Sequence, residues 1–229
     1  MPDQLTRLLV IRHGETAWNT EGRIQGHIDI PLNERGRWQA ERLAEALLDE
    51  GIDTLYCSDL ERARHTAEAV SRRLDLPLNL HTGLRERHFG VLEGRTQAEV
   101  AADSPEEARR WRERDPAYGP AGGETLQGFY DRCLAVLNNL AHQHLGQTVA
   151  IVAHGGVLDC FYRAATGVAL QAPRTWVVGN ACVNRLLYTP DGLTMLAWAD
   201  DRHLEDAPAL DEATDGGTAG LAGLRLAPQ

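Results

Sequence analysis

Two short stretches hold the residues best suited to chemistry. The apolar run Leu8-Leu9-Val10-Ile11 empties into Arg12-His13-Gly14-Glu15-Thr16, with Asn19 close behind. A second run, Val149-Ala150-Ile151-Val152-Ala153, ends in His154-Gly155-Gly156. Such runs read as interior strands of a sheet covered on both faces. In an open α/β sheet, ligands bind outside the carboxyl ends of the strands, so both His-Gly endings fall at the edge where a site is built. Arginine there offers a planar fork matched to phosphate oxygens. An imidazole there is a nucleophile, base or donor near neutral pH, and Gly14 lets the backbone turn tightly or lie close to a ligand. Taken alone, an Arg-His pair is more often a solvated strand end. Here a second apolar strand also finishes in His-Gly, and that repeated ending predicts two facing imidazoles.

The elements that must position them alternate. After the first strand comes a polar, glycine-containing loop, Thr16 to Asn33, long enough to be functional in a compact domain. Asn33 caps a helix with Glu34 in its first turn, an apolar stripe of Trp38, Leu43, Ala46 and Leu47, and Gly51 as its stop. A strand at Thr54–Cys57 and a helix over about Leu60–Leu74, with Ala63, Ala67 and Val70 inward, complete a βαβα alternation that argues for a parallel sheet. The segment 94–124 is polar, broken by Pro105, Pro116 and Pro120, and reads as two short helical pieces capping the sheet. A helix over Thr125–His144 follows, then the second His-Gly strand and a helix through Phe161. Two strands, near Ala181–Tyr188 and Thr194–Ala199, join through a turn at Pro190-Asp191-Gly192. The fold class expected is a three-layer α/β/α sandwich with a mostly parallel central sheet and a small helical cap inserted over the carboxyl edge. It forms one domain over residues 1–205, followed by a tail over 206–229. The tail reads as flexible on composition, packing on its own domain or on a second copy of the chain as a homodimer.

Composition excludes several classes. At 229 residues, with 43% hydrophobic and 24% charged residues, the chain is ordinary for a soluble domain. A net charge of −10 disfavours nucleic acid or an anionic membrane as partner. No apolar run is long enough to span a bilayer, and Met1 to Arg7 lacks a signal-peptide core, so the expected address is the cytoplasm. Cys57, Cys133, Cys160 and Cys182 are scattered and read as small core residues rather than a disulfide frame or zinc site. His142 and His144 read as a solvated helix end rather than metal ligands.

The stretch Arg12-His13-Gly14-Glu15-Thr16 with Trp18-Asn19 resembles the signature of the histidine phosphatase superfamily, which includes the cofactor-dependent phosphoglycerate mutases. The likeness continues through Arg23, Gln25-Gly26, Asp29, Pro31-Leu32, Gly36, Ser58-Asp59-Leu60 with Arg62-Ala63 and Thr66. It runs on through Leu84-Arg85-Glu86, Glu93-Gly94, Gly123-Glu124-Thr125 and Ala153-His154-Gly155-Gly156. The resemblance implies phosphoryl transfer through a phosphohistidine on His13. Arg12, Asn19, Arg62, His154 and Gly155 would surround the transferring group, whose spread charge requires fixed donors. Glu86 would be the general acid and then the base. That role requires a pKa raised by burial or neighbouring negative charge. Without this setting Arg62 would read as a solvated helix residue and Glu86 as a partner of Arg85 or Arg87. Glu15 is expected to hold the loop. Gln25, Gly26, Arg87 and His88 are candidates for contact with the rest of the substrate. No metal and no cofactor are implied, since arginine and histidine already supply positive charge.

The superfamily contains phosphatases and mutases. The segment between Glu86 and His154 is shorter than in the mutases and lacks their basic, proline-rich lid, which a mutase uses to keep water from its phosphohistidine. Gln25 stands where mutases generally have serine or threonine. Both features favour a metal-independent phosphatase acting on a small phosphorylated metabolite. A phosphoglycerate mutase is the alternative, and a non-catalytic binding module ranks lower because the full residue set is retained. The cap arginines Arg109, Arg110, Arg112 and Arg114 read as a solvated helix face.

Overall fold

The computed structural model describes residues 5–205, so the tail expected from Asp206 lies outside the described residues. Six strands form one sheet: β1 (Thr6–Arg12), β2 (Thr54–Cys57), β3 (Leu78–Leu80), β4 (Thr148–Ala153), β5 (Val183–Thr189) and β6 (Gly192–Asp200). Their order is β3-β2-β4-β1-β5-β6. The first four in that order pair in parallel, and β5 runs antiparallel to both its neighbours.

The apolar strands are buried on both faces because successive side chains point to opposite sides. Leu8 and Val10 of β1, with Val149, Ile151 and Ala153 of β4, pack under α6 (Leu126–Gln143) and α7 (Gly155–Thr166). Leu9, Ile11, Ala150 and Val152 face the other way, under α2 (Glu34–Ala46) and α3 (Glu61–Leu74). This is the expected three-layer sandwich. Two short helices, α4 (Gln97–Asp103) and α5 (Pro105–Arg112, with Pro105 in its first turn), bury Val100 and Ala108 with Ile24 and Leu92 in a small separate core. Trp111 of α5 reaches a cavity that Glu86 also lines, which puts this pair over the carboxyl edge of the sheet.

Local expectations need four corrections. The α2 helix ends at Ala46 rather than at Gly51, and its inward stripe is Ala40, Leu43, Ala44 and Leu47. Ala46, at the helix end, is exposed and Trp38 half-buried; Ala40 and Leu47 lie three and four residues from Leu43 and share its face, whereas Trp38 lies five before it. The loop after β1 contains a helix, α1 (Ala17–Glu21), started by a capping box between Thr16 and Asn19. Strand β3 is only three residues at a sheet edge, too short for a periodic signal. The last helix runs past Phe161 to Thr166 and stops at the left-handed Gly167. His144 ends α6 and bonds Tyr56 and Gln147, while His142 is exposed. The four cysteines form no disulfide and are buried. Among the described residues, no helix is long and apolar enough to cross a membrane.

Candidate active site

The parallel strands deliver the site one by one. Arg12 of β1 is paired in register with Ala153 of β4, and the His13 amide donates to the Ala153 carbonyl at 2.9 Å. The next residue on each strand is a histidine, so sheet register alone sets the two imidazoles side by side. Their ring centroids lie 5.2 Å apart, tilted by 57°. Strand β2, on the far side of β4, leads into Ser58, whose amide donates to the Val152 carbonyl. The α3 helix then starts and brings Arg62 to the same edge. Strand β3 is followed by a single helical turn and then Glu86.

His13 is fully buried. Its Nδ1 lies 2.7 Å from the Gly14 carbonyl. A carbonyl only accepts, so Nδ1 carries the proton and Nε2 the lone pair. Burial, followed by Arg62 and Arg12, pushes the His13 pKa well below its ordinary value, leaving a neutral imidazole at pH 7. The His154 pKa is pushed down by burial, Arg62, His13 and Arg12. His154 is therefore a neutral donor here. Nε2 of His13, both ring nitrogens of His154, and the amide nitrogens of Asn19 and Gln25 are buried without a hydrogen-bond partner among the described residues. Buried polar atoms are rarely left so. This concentration of them, beside two guanidiniums, is the signature of a cradle for an anion with several oxygens.

The surrounding groups are held in place. Arg62 donates to the carbonyls of Gly26 (2.7 Å) and Ile28 (3.1 Å), and Arg12 to that of Val178 (2.6 Å). Thr66 accepts from the Gly14 amide and donates to the Arg62 carbonyl, tying α3 to the His13 loop. Asn180 donates to the His13 carbonyl and to Asn19. Glu15 accepts from Asn33 and approaches Arg35, which is the architectural part expected of it.

Glu86 is buried, and its carboxylate accepts from the amides of Arg87 and Gly156, each at 2.8 Å. The backbone carrying it is clamped. Arg132 of α6 donates to the carbonyls of Gly83 (2.8 Å), Arg85 (3.0 Å) and Glu86 (3.3 Å) and to both carboxylate oxygens of Glu124. Glu124 also accepts from the His88 amide, and the His27 ring bonds the Glu86 carbonyl at 2.8 Å. Sequence reasoning missed Arg132, His27, Thr66 and Asn180 as supports. An arginine inside an amphipathic helix carries no signal of the loop it will meet.

The structure thus brings Arg12, His13, Asn19, Arg62, His154 and Gly155 together, with Glu86 at the margin. Gln25 borders the cradle through its amide and accepts from Thr16. Gly26, left-handed, contributes its carbonyl to Arg62. Arg87 spends its guanidinium on the carbonyls of Tyr118 and Glu124, and burial lowers its pKa to about 10. His88 stacks on His27 at 4.7 Å and lies near Glu93, outside the cavity that Arg87 lines.

Residues 8–201 match the family model of the histidine phosphatase superfamily, branch 1. Phosphoglycerate mutase-like protein 4 of Arabidopsis thaliana is 37% identical over 213 residues, 91% of this chain and 91% of that protein. A metal-independent phosphoserine phosphatase, also from Arabidopsis thaliana, is 35% identical over 216 residues, 93% of this chain and 89% of its own. A solved mycobacterial glucosyl-3-phosphoglycerate phosphatase superposes with a TM-score of 0.78 at 30% identity, over 86% of this chain and 100% of its own. The agreement spans the whole sheet and its helices rather than one signature, and by it this chain belongs to the histidine phosphatase superfamily and is an enzyme of that family.

Proposed function

We propose that the protein is a metal-independent phosphatase of small phosphomonoesters, with His13 as nucleophile and Glu86 as general acid and base. The observation that carries this reading is at His13: Nδ1 lies against the Gly14 carbonyl, which leaves the lone pair on Nε2, and Nε2 is buried with no hydrogen-bond partner among the described residues. In the first step Nε2 forms a bond to phosphorus as the ester P–O bond breaks, and the Glu86 proton passes to the leaving oxygen. In the second, Glu86 takes a proton from water, whose oxygen attacks phosphorus and releases inorganic phosphate and free His13. Arg12, Arg62, Asn19 and His154 hold the phosphoryl oxygens throughout, where preorganised donors act most strongly. The phosphatase names among the relatives support hydrolysis. The mutase-like names support the second reading, transfer between 2- and 3-phosphoglycerate.

The test is phosphate release from an aryl phosphate and a panel of phosphorylated metabolites, without added metal, beside an assay of 2- and 3-phosphoglycerate interconversion. Hydrolysis blocked by vanadate and lost in His13→Ala is the expected result. Full activity in His13→Ala overturns the mechanism, and interconversion outpacing hydrolysis turns the assignment to mutase.

A further inference from the structure

The antiparallel hairpin at the edge of the sheet brings two further segments to the end of β1. Ile11 of β1 pairs with Val183, the first residue of β5, and Val183 pairs with Asp200, the last of β6. The residues that lead into β5, 177–181, and those that leave β6 therefore arrive together beside His13. A single helical turn, Arg202–Leu204, follows β6. It is fastened to the body of the fold through the His203 carbonyl, which accepts from Arg42 of α2 at 3.0 Å.

The segment 177–181 touches three of the groups that surround the phosphoryl centre. Its Val178 carbonyl accepts from Arg12. The Ala181 amide donates to the carbonyls of Arg12 (3.0 Å) and His13 (3.3 Å). Asn180 Nδ2 donates to the His13 carbonyl at 2.9 Å and to Asn19 Oδ1 at 3.3 Å. The peptide unit between His13 and Gly14 is thus gripped at both polar ends, its carbonyl by Asn180 and Ala181 and its N–H by Thr66. That grip sets the direction of the Gly14 carbonyl, against which His13 Nδ1 lies. Asn19 Oδ1 also accepts from the Thr16 amide, so the Asn19 amide is turned with Nδ2 as its end without a partner among the described residues.

The segment is itself held from outside. Ala181 is left-handed (φ +58°) although it carries a side chain, a conformation that persists where the surroundings impose it. Its carbonyl lies 3.1 Å from His203 Nε2, and because a carbonyl only accepts, that nitrogen carries the proton. At the other end Trp198 Nε1 of β6 donates to the Val177 carbonyl at 2.7 Å. The first and last carbonyls of the segment are each engaged by a side chain from the end of β6 or the turn after it.

We propose that His203 is a positioning residue for phosphoryl transfer: with Trp198 it clamps the segment 177–181, which in turn aims His13 and Asn19. The inference rests on the reading of His13 as nucleophile, and His203 acts through the backbone alone, touching no reacting atom. Without its donor, Ala181 loses a contact that holds it left-handed, and its relaxation shifts the His13 carbonyl and with it Nε2.

The test follows 4-nitrophenyl phosphate hydrolysis, per folded molecule, in three variants. A misplacement of about 1 Å at a reacting group costs on the order of 100-fold, so the partial loosening in His203→Leu should lower kcat about tenfold and move KM less than about threefold. His203→Gln keeps an N–H donor and should return kcat to within about threefold of wild type. Vanadate, which adopts the five-coordinate geometry of the phosphoryl group in flight, should bind His203→Leu about tenfold more weakly, with inorganic phosphate little affected. Wild-type kcat and vanadate affinity in His203→Leu, whatever its thermal midpoint, would overturn the clamp. Equal losses in His203→Leu and His203→Gln would overturn it too, since the donor would then not be what matters. Should His203→Leu not fold, Trp198→Phe decides: it removes the other donor, keeps an aromatic ring and should lower kcat about threefold, and an unchanged kcat overturns the clamp. If wild-type protein turns over no ester, the nucleophile reading falls. Calorimetric vanadate binding then tests the clamp by itself, which stands if His203→Leu weakens binding and fails if it does not.

Discussion

Two adjacent glycines at the start of α7 are predicted to respond very differently to the same added methyl group. A Cβ on Gly156 would stand 2.3 Å from Glu86 Oε1 and 3.1 Å from both the Glu86 carboxyl carbon and a Phe129 ring carbon. Non-bonded atoms settle near 3.5 Å, so the Glu86 carboxylate has to retreat by about 1 Å, giving up the 2.8 Å bond from the Gly156 amide. A displacement of that size at a reacting group costs on the order of 100-fold, within the range that a positioned acid supplies. On Gly155 the Cβ would meet Arg12 Nε at 3.4 Å, an ordinary contact. Gly156→Ala should therefore lower kcat about 100-fold for alkyl phosphates and less than tenfold for nitrophenyl phosphate, whose leaving group needs little help from an acid. Gly155→Ala should cost less than tenfold for both. The assay is phosphate release across a leaving-group series, with thermal unfolding as the check that both variants fold. Equal penalties for the two variants across the series would refute the placement of Glu86 as proton donor.

The Arg132 clamp acts only through the backbone it holds. Arg132→Gln should lower kcat about tenfold for alkyl phosphates, with a smaller loss for aryl phosphates and little change in KM. Arg132→Lys should restore part, and a penalty independent of leaving group would make the clamp merely structural. The buried histidines also tie stability to pH. Both His13 and His154 have folded pKa values below the unfolded value near 6.5, so the unfolded chain binds more protons in acid. Their contribution is complete above about pH 6.5 and declines as pH falls toward the folded values, by up to about 1.4 kcal/mol per pH unit for each histidine. Urea unfolding at pH 7.5 and 5.5 should show that loss, and His154→Asn should flatten it; equal slopes in variant and wild type would contradict the assignment.

Much of the architecture follows from local physics that the residues carry themselves. Four apolar residues ending in Arg12-His13, and five ending in His154, specify buried parallel strands and put two imidazoles at one edge, because parallel neighbours in register must end side by side. The cap at Asn33 and the βαβα alternation are legible for the same reason: each depends on contacts within a few residues, whereas Thr125, read as the first residue of its helix, is in fact the cap that precedes it. Strand β3 and helix α1 escaped, being too short for a period to accumulate. Contacts between distant segments were decided only in three dimensions. That Arg132 holds the Glu86 loop, that Gly156 rather than Gly155 lies against the Glu86 carboxylate, and that Arg114 turns inward to Asp159 all depend on what the folded chain brings opposite each residue. Side-chain type and spacing determine which groups can do the chemistry. Long-range packing decides where each one is held, because Arg62, placed beside the two imidazoles, and Arg132, placed against the Glu86 loop, look the same in sequence.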